Sequence, residues 1–390
     1  MRGVFCRGAA GDTLDAMQLS RILLALALAT ALDAAPKPGK RAKNVIVFLA
    51  DAGGVPTVSA ASLHGYGEPQ KLFVQSWPHM GLSDTSTASN WVTDSAAGMT
   101  AIVTGQKTHN GVISMDASTV RGKQDGKTLK TILEYAEERG LATGVVSNVS
   151  IADATPAACY GHANDRGKQA ELYHQIFTPR FGDGVDIVIG GGRKKIYDDT
   201  KAMGKDLDAI AAEHKRPIYA SVAAIPATDM RPLALLEDTA DVPAMAFAAL
   251  DRLKKNKKGY FLMIEWDAHT DNPEKGLNNL VNFDKLIREI AAKVDLRDTL
   301  LVFTADHSFE LRNVGGKRGE PLLKGYAEWQ KTHQAREVVT IPALRVGHSH
   351  TGEEVLATAM GPGAERVKGF FPNTHLFQVL LGAYGWRADK

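Results

Sequence analysis

The chain has 390 residues, 44% of them hydrophobic and 23% charged, a balance that places it among soluble globular proteins. A formal net charge of +2 is too small for a nucleic acid or a membrane surface to be the main partner. Lysines and arginines are scattered, and the short clusters at 37–43 and 254–258 read as solvated linker and loop. The only cysteines are Cys6, in a segment expected to be removed, and Cys159, in a small apolar setting where packing explains it better than reactivity.

Taken in chain order, residues 1–31 read as a signal peptide. Arg21 precedes the apolar run 22–29, Ala29-Thr30-Ala31 fits a small-x-small cleavage pattern, and Met17 is an alternative start. The run is too short to cross a hydrocarbon layer of ~30 Å, and no later stretch resembles a membrane span. The mature protein is therefore expected to be exported, periplasmic or secreted. Residues 32–43 are a Pro/Lys/Gly-rich linker, and 44–390 are expected to form a single domain. Strands are predicted at 44–50, 142–149, 185–189, 260–264, 300–305 and 340–346, and helices at 127–140, 243–254 and 277–294. Segments 65–90 and 113–126 read as irregular loops. Strands alternating with helices predict an α/β fold, a largely parallel multi-stranded sheet sandwiched between helices.

Sites on such sheets form beyond the C-terminal ends of the strands, and the polar residues collect there. Asp51 follows the first strand, Asp153 and Thr155 the second, and Glu265, Asp267 and His269 the strand at 260–264. Asp306 and His307 follow 300–305, and His348 and His350 follow the last run. These are metal-type ligands. The alternate spacing of Glu265, Asp267 and His269 would aim all three to one side of an extended backbone. Ser95, in Thr93-Asp94-Ser95-Ala96-Ala97-Gly98, sits at a helix mouth, where the helix dipole and a metal would lower its hydroxyl pKa. Arg166 can clamp a phosphoryl group with two parallel hydrogen bonds. The set suits phosphoryl transfer. The plainer readings are Ser95 as an ordinary N-cap, Asp51 as a structural carboxylate and Arg166 as a surface helix arginine. His109 and His162 read as surface loop residues, His348 as outside the ligand set, and Gly190–Gly192 as a turn.

Four segments resemble the alkaline phosphatase family, and the likeness runs over residues 44–386. They are Thr93-Asp94-Ser95-Ala96-Ala97-Gly98-Met99-Thr100-Ala101, Asp153-Ala154-Thr155-Pro156-Ala157-Ala158, Thr304-Ala305-Asp306-His307 and His350-Thr351-Gly352-Glu353, and Asn164-Asp165-Arg166 fits the phosphate-binding arginine. The resemblance implies a phosphatase-like fold and hydrolysis of small phosphomonoesters through a phosphoserine on Ser95, with two zinc ions and one magnesium. It implies that Asp51 bridges one zinc and the magnesium, that Asp306 and His307 complete that zinc, and that Asp267, His269 and His350 hold the other. Thr155 and Glu265 would join Asp51 around magnesium, and Asp153 would orient waters on magnesium or steady Arg166. A homodimer is the family's habit.

One segment departs from the family pattern. Glu265-Trp266-Asp267-Ala268-His269 is compressed, so Asp271 could replace one of its ligands. Competing readings are a phosphodiesterase of the same superfamily and a phosphate- or metal-binding protein without catalysis.

Overall fold

In the computed structural model of the protein, every residue of the first strand, Asn44–Asp51 (β1), is buried. Continuous burial of an apolar run requires cover on both faces of a sheet. The structure describes residues 41–334 and 336–389, so the expected signal peptide and most of the linker lie outside the described residues. The remaining strands are His79–Asp84 (β2), Ala142–Ser150 (β3), Ile187–Gly191 (β4), Ile218–Tyr219 (β5), Leu233–Leu235 (β6), Tyr260–Asp267 (β7), Thr299–Thr304 (β8), Ser308–Asn313 (β9), Val339–Thr340 (β10), Leu344–Thr351 (β11), Val355–Met360 (β12) and Gly369–Pro372 (β13).

Ten strands form one sheet in the order β13-β2-β12-β8-β1-β7-β3-β4-β6-β5. All pairs are parallel except those of β12 with its neighbours β2 and β8. Side chains of β1 alternate between the two cores. Val45, Val47 and Leu49 pack with Met99 and Ile102 of the helix Ser95–Thr104 and with the C-terminal helix Thr374–Tyr384. Ile46, Phe48 and Ala50 pack with the helices Val242–Leu253 and Pro273–Lys293. Each Phe or Leu fully removed from water stabilises the fold by ~2 kcal/mol. The chain is thus an α/β protein with a mostly parallel sheet between helix layers, as predicted.

Three predicted elements are corrected. The helix expected at 127–140 begins only at Ile132, where Thr131 and Glu134 cap each other's backbone N–H at 3.2 and 3.0 Å. The strand expected at 340–346 is broken at Pro342, which lacks an N–H for a ladder. Its two parts, β10 and β11, run antiparallel, and β11 also pairs with β9 in a separate three-stranded sheet. The loop expected at 65–90 contains β2, whose half-polar sequence HMGLSD hides it.

Glu137, in the helix Ile132–Glu138, is 4% exposed and accepts a hydrogen bond from the Thr143 hydroxyl. Burial, with Asp186 nearby, pushes its carboxyl up to about 8. The folded chain therefore holds a proton there that the unfolded chain releases near pH 4.5, and stability from this site falls as pH rises from about 4.5 to 8. Glu137→Gln is expected to remove that dependence, raising stability at pH 9 by up to roughly 5 kcal/mol relative to its effect at pH 4, at about 1.4 kcal/mol per pH unit between about 4.5 and 8. Urea midpoints at the two pH values check this, and an unchanged pH dependence in the variant would contradict it.

Candidate active site

β1, β7 and β8 lie side by side, so their C-terminal ends deliver Asp51, Asp267 and Asp306 to one edge, with Asp51 in register with Asp267. The chain leaves β1 through Ala52 in the left-handed conformation (φ 64°), and then through Gly53 and Gly54. Gly54 is required by packing: a Cβ there would lie 2.1 Å from the Ser308 hydroxyl. Asp306 Oδ1 accepts from the backbone N–H of Ala52 at 3.3 Å and of His307 at 3.0 Å. Its Oδ2 has no donor.

The first turn of the helix Ser95–Thr104 meets this edge. Its N-cap is Asp94, which accepts from Ala97 N at 3.1 Å, so the reading of Ser95 as the capping residue does not hold. Ser95 is the first helical residue, buried, with Oγ 3.2 Å from His307 Nε2. The close approach depends on Gly98, where a Cβ would lie 2.7 Å from the Asp306 carbonyl. Thr155 is buried in the helix Ala154–Tyr160, and Asp153 is that helix's N-cap residue. Arg166 lies in the turn before the next helix, not on a surface helix. Its guanidinium is half-buried and donates to Asp94 at 3.2 Å and Asp153 at 3.0 Å, and its backbone N–H donates to Gly111 O at 2.7 Å.

His269, His307 and His350 meet at the same edge, with ligand nitrogens within 4.8 Å of one another. His350 does not follow a parallel strand, as predicted, but sits within antiparallel β11, opposite Phe309. Each Nδ1 faces an oxygen: Asp267 Oδ1 for His269 (2.8 Å), Ser308 O for His307 (3.1 Å) and Thr93 O for His350 (3.1 Å). Assigned from this network, the Nδ1 atoms carry the protons and each Nε2 offers a lone pair. This is how metal-binding imidazoles are oriented. The His307 and His350 rings stack at 3.7 Å. Asp51, Asp306 and His307 form a second group with ligand atoms within 4.8 Å. Asp271 is exposed and belongs to neither group. His348 bonds the Glu337 carbonyl, and His109 bonds Ser89 and Ala117 O. His162, expected on the surface, is buried with Nε2 2.8 Å from Leu129 O.

The family model "Alkaline phosphatase" matches residues 42–216 and 232–341. The chain belongs to the alkaline phosphatase family. It is 28% identical to the alkaline phosphatase of Escherichia coli K12 over 430 residues, spanning 89% of this chain and 87% of that protein. It is 29% identical to the mouse tissue-nonspecific alkaline phosphatase over 443 residues, spanning 88% and 83%. The alkaline phosphatase of the Antarctic bacterium TAB5 shares the fold, with a TM-score of 0.73 and 24% identity over 90% of this chain and 100% of that one. Membership of the alkaline phosphatase family makes the protein a hydrolase of small phosphomonoesters.

The electrostatics of this alkaline phosphatase edge are those of a site built for cations. Asp51 Oδ1, Glu265 Oε1, Asp306 Oδ2 and Thr155 Oγ1 are buried without a hydrogen-bond partner. Burial and the charge of Asp51 raise Glu265 well above the carboxylate range and Asp306 to about 6. Burial would also raise Asp51, but His269 and His307 hold it far below its usual value. Burial opposes a charge on His269, yet Asp51 and Asp267 raise it to about 9. Burial and the neighbouring His307 lower His350 to about 4. The carboxylates thus pull protons onto imidazoles that a divalent ion would displace.

Sequence reasoning missed four supports of the site. Asp94 both caps the serine helix and pins Arg166, and an aspartate directly before a small-residue helix is a readable signal. The Thr93 carbonyl fixes His350. Ser147 donates to Glu265 Oε2, and Asn148 accepts from Asp267 N at 2.8 Å. These last three are contacts between distant segments without a local signature.

Gly98→Ala is expected to cost ~1–3 kcal/mol of stability and to lower turnover more than tenfold, because the helix carrying Ser95 must back away from Asp306. Urea unfolding and steady-state kinetics check this; native stability and turnover in the variant would show that the close approach is not required.

Proposed function

We propose that the chain hydrolyses phosphomonoesters through a covalent phosphoserine on Ser95. The observation that carries this reading is the buried Ser95 hydroxyl facing His307 Nε2, at the mouth of a helix and beside donor-free carboxylate oxygens. Those oxygens and the oriented Nε2 atoms fit a set of two zinc ions and one magnesium. Asp51, Asp306 and His307 would hold one zinc, with Ser95 beside it. His269 and His350 would hold the other through Nε2, together with the Asp267 oxygen not bonded to His269. Asp51, Glu265 and Thr155 offer the all-oxygen set that suits magnesium. Bound ions there supply Lewis acidity, lowering the pKa of the serine hydroxyl and of water and offsetting charge on the leaving oxygen.

The chain's own groups do the positioning. Ser95 lies at the positive end of its helix dipole, which favours the anionic form of the hydroxyl. Arg166 stays charged, because Asp153 and Asp94 raise it although burial opposes this. Its fork is held by those two carboxylates in an orientation that a phosphoryl group can meet with two charge-assisted hydrogen bonds. Asp153 therefore steadies Arg166, one of the two roles the family resemblance implies. In-line displacement places the leaving oxygen opposite Ser95, toward His269 and His350. The N-terminal signal-like segment supports export, and no helix among the described residues is long and apolar enough to cross a membrane.

Acid-quenching the enzyme during turnover of a phosphomonoester, followed by peptide mass spectrometry, is expected to find phosphate on Ser95. Ser95→Ala is expected to lose at least a thousandfold in turnover while keeping its far-UV circular dichroism and bound metal. Comparable turnover in that variant, or phosphate on another residue, would overturn the mechanism. Arg166→Ala is expected to weaken product inhibition by phosphate by ~2–3 kcal/mol, as for loss of a charge-assisted pair. An unchanged inhibition constant would remove Arg166 from the site.

A further inference from the structure

Trp91 is 87% exposed, more than any other large apolar side chain among the described residues. Its backbone is nevertheless held on both sides. Before it, the Thr87 hydroxyl accepts from Ser89 N at 3.2 Å and Asn90 N at 2.8 Å, and Thr87 N donates to Asn90 O at 2.9 Å. After it, the Asn110 side chain donates to Val92 O and accepts from Asp94 N, both at 3.1 Å. An open aromatic ring on a fixed backbone is a low-entropy contact surface, since little freedom is lost when something packs on it.

Its place in the chain ties it to the reaction. Trp91 lies four residues before Ser95, and the intervening Thr93 carbonyl meets His350 Nδ1. The Trp91 carbonyl lies against Gly352, just past the end of β11, where an added Cβ would be 3.0 Å away. Trp91 therefore stands on the rim where the nucleophile's segment passes the strand of His350. The Arg166 side of the phosphoryl position is occupied by Asp94 and Asp153. On the in-line geometry proposed above, with the leaving oxygen opposite Ser95 and toward His350, the departing alcohol would project past this rim.

We propose that Trp91 is a specificity residue for the leaving group, its indole stacking on planar aromatic alcohols so that aromatic phosphomonoesters are favoured over small alkyl ones. The inference rests on the hydrolase reading of Ser95. The test measures kcat/KM for phenyl phosphate and ethyl phosphate in the native chain, Trp91→Ala and Trp91→Phe. It also measures inhibition constants, or binding by calorimetry, for phenylphosphonate and methylphosphonate. The phenyl-to-ethyl ratio of kcat/KM is expected to fall about fivefold in Trp91→Ala and to recover largely in Trp91→Phe, with the phosphonate affinities moving in parallel. Taking the change of a ratio cancels the intrinsic difference between the two leaving groups. A ratio that does not move, or equal losses for both esters, would overturn the proposal. So would sedimentation showing that the alanine variant alone dissociates, since Trp91 would then be covered by a second copy. No turnover of either ester by the native chain would overturn the hydrolase reading instead, and the phosphonate affinities, which need no turnover, would still decide the stacking.

Discussion

Asp51, Glu265 and Asp306 are buried together at one edge of the sheet, and each leaves one oxygen without a donor. Bringing like charges out of water and against one another costs several kcal/mol per group unless positive charge is brought to them. The chain supplies part of that charge through His269 and His307, whose nitrogens lie 3.7 and 3.3 Å from Asp51 Oδ1. A fourth unpartnered oxygen, on Thr155, adds a neutral donor atom of the kind hard cations accept. Much of the surrounding architecture follows from holding these groups in place.

The sheet provides the rigidity. β1 is flanked by β7 and β8, and its apolar residues are locked into two cores, so the ends of three adjacent strands cannot shift independently. Two glycines then allow what side chains would block. Gly54 lets the turn after β1 lie on Ser308, and Gly98 lets the helix carrying Ser95 lie on the Asp306 carbonyl. Arg166 joins the same assembly through Asp94, so Arg166 and the helix of Ser95, the proposed phosphate clamp and nucleophile, share one support. Trp91 extends that support outward to the rim, where the substrate's variable part would lie.

How much of this was legible in the sequence depended on whether the controlling contact was local. β1, β7 and β8 are near-continuous apolar runs, and polar residues just past them announce strand ends, so Asp51, Glu265, Asp306 and His307 were readable together. His350 was readable as a ligand type but not in its place, because Pro342 splits the last apolar run and moves β11 into a second, antiparallel sheet. The antiparallel β12 and the half-polar β2 carried no usable pattern. The compression between Glu265 and His269 was visible as a departure from the family. Its consequence was not: Asp267 lies in register with Asp51 and close enough to bond His269 Nδ1. Partners separated by more than a hundred residues, such as Ser147 with Glu265 or Thr93 with His350, exist only once the sheet has formed.

On the proposed mechanism this edge is a cation site completed by bound ions rather than by protons. The most direct measurement is the metal content of the purified protein by inductively coupled plasma mass spectrometry, paired with thermal unfolding before and after chelation. About two zinc ions and one magnesium per chain are expected, with a clear loss of thermal stability when they are removed, since ions bound only to the folded state stabilise it. A chain free of metal that unfolds at the same temperature with and without added zinc and magnesium would contradict that mechanism.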